Sequence, residues 1–294
     1  MKRYSNKKLK EGILFALPWI IGLGLFAAYP IGASLYYSLT SYDILSPPFY
    51  VGFLNYNELF NDEVFYISLY NTFYFVIIGL PLQLFCAFLI ALLLNMNIRN
   101  MPIYRTIFFL PTLVPGVVNA MLWRWMYDAD VGMINSILEK IGINNPPLWL
   151  ADPTWAKPAL IIMSLWGIGG TIVIFIASLK DVPQELYEAA ELDGASSFRK
   201  TVYITIPMVS PVILFNTIMG IIGSFQYFTE AHIMTGGGPM RATTFYALYL
   251  YQNAFNFFKL GYASAQAWIL FIIIFILTIL ALRISKNWVY YSGQ

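Results

Sequence analysis

LGYASAQAWILFIIIFILTILAL, residues 260–282, contains no Asp, Glu, Lys, Arg or His. An α-helix rises 1.5 Å per residue, so roughly 20 such residues cross the hydrocarbon core of a bilayer. Five further stretches, 12–42, 64–98, 106–123, 158–179 and 201–229, are equally free of ionisable side chains. Each is near or beyond spanning length. The whole chain follows suit: 59% of its 294 residues are hydrophobic and 11% are charged, about half the charge of a soluble domain, which averages roughly 25%.

The stretches are continuously apolar, whereas a barrel strand alternates over about ten residues. The fold class is therefore all-α, a polytopic membrane protein with six transmembrane helices. Its solvent is the lipid bilayer. A net charge of +2 offers no basic surface for nucleic acid. The single cysteine, Cys86, lies inside an apolar stretch and has no intrachain partner for a disulfide.

Lys2, Arg3, Lys7, Lys8 and Lys10 precede the first stretch, as in a secretory signal. That stretch exceeds the usual 7–15-residue signal core, so a retained first helix is expected. With the N-terminus inside, those five residues and Arg99, Arg105, Lys180, Arg199, Lys200, Arg283 and Lys286 face the cytoplasm, twelve of the seventeen basic residues. Arg124, Lys140, Lys157, Arg241 and Lys259 face outward. The bias obeys the positive-inside rule and puts both termini in the cytoplasm, with a multi-pass chain in the cell membrane expected.

Helices are expected near 13–39, 69–95, 104–127, 156–179, 207–230 and 262–284, forming one membrane domain, 1–294. The outer loops are rich in Asn, Asp, Pro and Tyr, as at Asn144-Asn145-Pro146-Pro147, and none is long enough for a domain of its own. Pro111 and Pro115 lie four apart within the third stretch. Each lacks a backbone donor, and the carbonyls they free must be met by protein or by a water-lined path.

The loop 180–206 leaves the membrane but is patterned. Asp181 reads as an N-cap with Pro183 in the first turn, 184–192 are good helix formers, and Gly194 stands where a helix stops. Ser196 or Ser197 then caps a second short helix. Leu186, Tyr187 and Ala190 share a face at helical spacing, rimmed by Glu185, Glu188, Glu191 and Asp193. An amphipathic hairpin lying on lipid would not carry four acids against an anionic inner leaflet.

Glu188-Ala189-Ala190-Glu191-Leu192-Asp193-Gly194-Ala195, followed by Ile206-Pro207, resembles the "EAA, then Gly" loop of binding-protein-dependent ABC importer permeases. Thr235-Gly236-Gly237-Gly238-Pro239 with Thr243 and Thr244, Gly261-Tyr262-Ala263-Ser264-Ala265, Leu110-Pro111-Thr112 and Trp149-Leu150-Ala151-Asp152-Pro153 resemble the sugar-permease branch that includes maltose and glycerol-phosphate permeases. The resemblance implies the type I importer permease fold and a transport subunit with no catalytic residues. It implies an ATPase-coupling loop carried by Tyr187, Glu188, Ala189, Ala190, Asp193 and Gly194. It also implies a second homologous permease, a cytoplasmic ABC ATPase dimer that binds ATP and Mg, and an extracytoplasmic solute-binding protein. By position against the branch, the candidate substrate path is Thr112, Ser164, Trp166, Gly167, Thr171, Ser224, Gln226 and Tyr227. Ser224 and Tyr227, three apart, are expected on one helix face.

No Gly-x4-Gly-Lys-Ser/Thr phosphate loop is present, so this chain cannot hydrolyse ATP by that route, and the resemblance implies that hydrolysis belongs to another subunit. His232 has no Cys, Asp or Glu at metal-ligand spacing, and no metal or other cofactor is expected in this chain. Gly236, Gly237 and Gly238 read as a flexible turn on the outer face. The alternatives are an ion-coupled secondary transporter, which usually carries ionisable groups in the membrane that these stretches lack, and an ABC permease for a solute other than sugar.

Overall fold

The structure, a computed structural model, describes residues 6–96 and 99–290. Lys2 and Arg3 of the basic N-terminus lie outside the described residues. Among the described residues four helices are long and apolar enough to cross a membrane: Lys10–Ser38, Glu63–Leu94, Ser197–Met234 and Leu260–Ser285. Two bent pairs, Met101–Leu113 with Gly116–Met126 and Pro153–Gly167 with Gly169–Lys180, bring the number of spans to six if each pair counts as one. The spans are numbered first to sixth in chain order below. The only strands among the described residues are Thr40–Ser41 and Phe49–Tyr50, paired antiparallel.

The third span is broken, with its halves at 98°. Pro111 opens the 3-10 turn Leu110–Leu113, and Val114 is extended at φ −75° and ψ 124°, the conformation a following proline imposes. Pro115 then caps the second half. Two carbonyls at the break are met within the chain: Thr112 Oγ1 donates to Phe109 O at 2.6 Å, and the Val114 N–H donates to Pro111 O, the carbonyl Pro115 leaves free, at 3.2 Å. The fourth span bends by 49° around the 3-10 turn Leu165–Gly167. There Gly169 lets the backbones meet, because a Cβ would stand 2.5 Å from Phe108 O.

The chain divides into two compact units, residues 1–62 with 250–269, and residues 63–249 with 270–294. In the first, Asn55 Nδ2 donates to Ser38 O and Thr40 O, both at 2.9 Å, closing the turn after the first span. Tyr262 OH donates to Asp62 Oδ2 at 2.6 Å, and Trp268 Nε1 to Ser34 Oγ at 3.2 Å.

The second unit holds two cores. One gathers Phe75, Trp123, Tyr127, Trp149, Leu160, Met163 and Phe245; the other gathers Ala87, Ala91, Leu94, Ile172, Phe175, Leu179 and Val209. The glycine-rich stretch after the fifth span is tied down: Thr235 and Thr243 hydroxyls bond at 2.6 Å, and Thr244 Oγ1 donates to Gly237 O at 2.9 Å. Asn71 clasps it from the second span, donating to Arg241 O at 2.9 Å and Thr244 O at 3.1 Å while accepting from Lys157 Nζ at 3.0 Å. It is thus a hydrogen-bonded loop, where the sequence suggested a plain flexible turn.

Candidate functional site

The loop between the fourth and fifth spans forms a helix, Gln184–Leu192, whose N-cap is Pro183 with no side-chain capping bond. Asp181, expected as the cap, instead terminates the preceding span, its N–H on Ser178 O. At the other end the Gly194 N–H reaches Glu191 O at 3.0 Å and the Ala195 N–H reaches Ala190 O at 2.9 Å. These are the two bonds of a Schellman turn, and they require a left-handed residue at Gly194, where φ is +74°. Ser196 then caps Ser197–Lys200, accepting from the Arg199 N–H.

Of the three residues expected on the apolar face, Tyr187 turns inward: its hydroxyl bonds Thr205 Oγ1 at 2.9 Å and its ring packs on the second core with Val182. Ala190 is half-buried beside it. The outward face instead carries Leu186, Leu192 and Phe198, exposed by 41%, 91% and 77%. Glu188, Ala189 and Asp193 are exposed among them, and Glu191 pairs with Lys200 at 2.6 Å.

A cavity of about 290 Å³ opens within the second unit, lined by Phe75, Gln83, Asn119, Met163, Ser164, Gly167, Gly220, Gly223, Ser224, Tyr227 and Glu230. The fifth span's regular helix ends at Phe225, and the backbone unwinds over 226–228 before Thr229–Met234. That break points both Ser224 and Tyr227 into the cavity. They reach it from a helix end and the unwound stretch beyond it, not from the single helix face expected of them. The Tyr227 ring stacks on Phe75 at 4.5 Å and meets Phe245 edge-on at 5.4 Å. Gln83 Nε2 donates to Ser164 Oγ at 2.8 Å, which donates on to Ile161 O. The Tyr227 hydroxyl and the Asn119 carboxamide oxygen are buried without a hydrogen-bond partner.

The remaining sequence candidates stand elsewhere. Thr112 is spent on the break in the third span, its methyl facing the position of a Gly169 Cβ. Trp166 meets Trp123 edge-on at 6.0 Å, outside the cavity lining. Gln226 is exposed at the C-cap of the regular helix, and half-buried Thr171 is absent from the lining.

Residues 65–290 match the family of binding-protein-dependent transport system inner membrane components. The chain belongs to that family. The permease is 42% identical over 99% of its length to the probable ABC transporter permease protein YesP of Bacillus subtilis, covering 96% of it. It is 35% identical over 98% of its length to the lactose transport system permease protein LacF of Rhizobium radiobacter, covering 97% of that chain. Its fold matches a chain of a bacterial alginate ABC transporter, solved with an alginate pentasaccharide-bound periplasmic protein, at a TM-score of 0.85 and 21% identity over 97% of this chain and 98% of that one.

Family membership sets aside the ion-coupled carrier and makes the permease a transport subunit with the type I importer fold. Among its described residues no cluster of His, Cys, Asp or Glu has the makings of a metal site. The cavity adds residues that inspection of the sequence passed over: Phe75, Gln83, Asn119, Met163, Gly220, Gly223 and Glu230. Gln83 and Asn119 were the visible signals, polar side chains inside otherwise apolar stretches. Glu230 begins one residue beyond the charge-free stretch 201–229.

Proposed function

We propose that the permease, acting over its whole length 1–294 as one membrane domain, is the translocation subunit of an ATP-driven importer for a sugar or oligosaccharide delivered by a solute-binding protein. The observation that carries this is the cavity: aromatic Phe75 and Tyr227 stand beside the amides and hydroxyls of Gln83, Asn119, Ser164 and Ser224. Sugars are bound by such surfaces, an apolar ring face against an aromatic and hydroxyls against fixed polar groups. The naming of a relative for lactose transport supports the same class.

In this scheme both termini and the loop 180–206 lie in the cytoplasm. Tyr187, Glu188, Ala189, Ala190, Asp193 and Gly194 form the coupling element, with Tyr187 anchoring it to the bundle and the outward apolar face entering a groove on an ABC ATPase dimer. ATP and Mg are held there. Exposed Leu192 and Phe198 at the end of a membrane bundle are suited to cover by another protein. A second homologous permease completes the pathway. Closure of the ATPases draws the two loops together and swings the spans from inward-open to outward-open, a rigid-body alternation.

The test is uptake by the assembled importer in proteoliposomes, with its solute-binding protein outside and a panel of oligosaccharides, monosaccharides, glycerol phosphates, amino acids and inorganic ions. Saccharide uptake driven by ATP is expected. Uptake confined to amino acids or ions removes the sugar class and leaves an ABC permease for another solute.

A further inference from the structure

We propose that Glu230 makes the cavity selective by charge, admitting uncharged, hydroxyl-rich saccharides and rejecting carboxylated or phosphorylated ones; this rests on the sugar assignment above. Glu230 is the only Asp, Glu, Lys, Arg or His lining the cavity among the described residues. Among the described residues no cation forms an ion pair with it. Its carboxylate stands over the third-span break, with Oε1 3.3 Å from where a Cβ on Gly116 would be. A side chain at 116 would crowd it, and glycine leaves it room. A carboxylate held at a cavity wall with no counter-charge is costly to keep unless something in the cavity donates to it.

The neighbouring groups sharpen that preference. Asn119 contributes a buried, unpartnered carboxamide oxygen, which only accepts, and Tyr227 a buried, unpartnered hydroxyl. The unmet groups are therefore one acceptor and one hydroxyl that can accept as well as donate. A neutral saccharide brings several O–H donors and satisfies them. A uronate or a phosphate ester brings acceptors at the substituted position, leaves Asn119 unmet, and adds repulsion from Glu230. Two like charges about 5 Å apart at an effective dielectric near 20 disfavour binding by roughly 200-fold, and by about fifteenfold if hydration of the cavity doubles that dielectric. An amino-bearing saccharide gains the opposite sign.

Saturation-transfer NMR on the complete permease–ATPase complex, with no solute-binding protein present, reads this at the permease itself. The probes are galactobiose, its C6-oxidised counterpart digalacturonate, glycerol 3-phosphate and an amino acid mixture. For the wild type, galactobiose is expected to give at least about tenfold more transfer than digalacturonate or glycerol 3-phosphate. Glu230→Gln should close the gap to within about threefold, and Glu230→Lys should invert it. Assembly with the ATPase, followed by size exclusion, shows whether a variant has folded; if one has not, the wild-type comparison decides. Equal transfer from galactobiose and digalacturonate in the wild type overturns the charge filter while leaving the sugar assignment standing, as does an unchanged gap in an assembled Glu230→Gln complex. Transfer from amino acids alone overturns both.

Discussion

Gly194 separates the loop's folding from its coupling. The position has φ +74°, and a Cβ built there meets no heavy atom within 4 Å. A side chain therefore has space, and the cost of Gly194→Ala within this chain is backbone strain alone, about 1–2 kcal/mol for a left-handed L-residue. At about 1.4 kcal/mol per factor of ten, the Schellman turn becomes roughly 5–30 times less favoured against alternatives. Asn tolerates this conformation better than Ala, so Gly194→Asn should be the milder change. Gly194→Asp shares much of that tolerance but adds a charge beside Asp193, Glu191 and Glu188. None of the three should prevent membrane insertion, because the turn is exposed and supports neither core. Measured as solute-stimulated ATP hydrolysis by the reconstituted importer, the order expected is glycine, then Asn, then Ala, with Asp lowest. Since nothing in this chain crowds the site, a loss beyond the strain estimate reports a partner surface seated against Gly194. If Ala and Asp both retain wild-type stimulation, the loop does not couple.

Asn71→Ala removes the donor to Arg241 O and Thr244 O and the acceptor for Lys157, which should cost about 1–3 kcal/mol; thermal melting in detergent should fall, and an unchanged midpoint would show the clasp to be idle. Gly169→Ala puts a Cβ 2.5 Å from Phe108 O and 3.0 Å from Phe109 Cα, both backbone atoms, so the third and fourth spans must part at a cost of about 1–3 kcal/mol; wild-type stability and uptake would contradict that packing. In the cavity, Tyr227→Phe deletes a buried hydroxyl with no partner of its own and should lower uptake roughly fivefold or more through a lost bond to solute. Exposed Gln226→Ala should not; uptake that follows Gln226 instead of Tyr227 would move the path to the other face of the break.

Much of the fold was legible because one quantity, the length of sequence without an ionisable group, decides whether a helix can cross a bilayer. The six charge-free stretches each fall on a span or a bent pair. Local breaks were harder. Pro111 and Pro115 announced an interruption, but the 98° angle depends on Gly169 admitting the Phe108–Phe109 backbone from another span. The end of the regular helix at Phe225 had no proline or glycine just beyond it to mark it, so Ser224 and Tyr227 were assigned one helical face. Asp181 was mistaken for a cap because a span that runs on to Lys180 leaves it at a C-terminus. The charge-free criterion itself hid Glu230, since it stops where the first acid begins. Gln83 meets Ser164 across 81 positions of sequence, a pairing that only the packing of the second span against the fourth creates.

The most direct test of the account is whether this chain transmits solute arrival to a separate ATPase. Proteoliposomes are made with the full importer, with the ATPase alone, and with this permease alone, and ATP hydrolysis is measured with and without loaded solute-binding protein. Hydrolysis stimulated by the loaded binding protein is expected only in the full importer. Hydrolysis by this permease alone, or stimulation that persists when it is left out, would contradict the account.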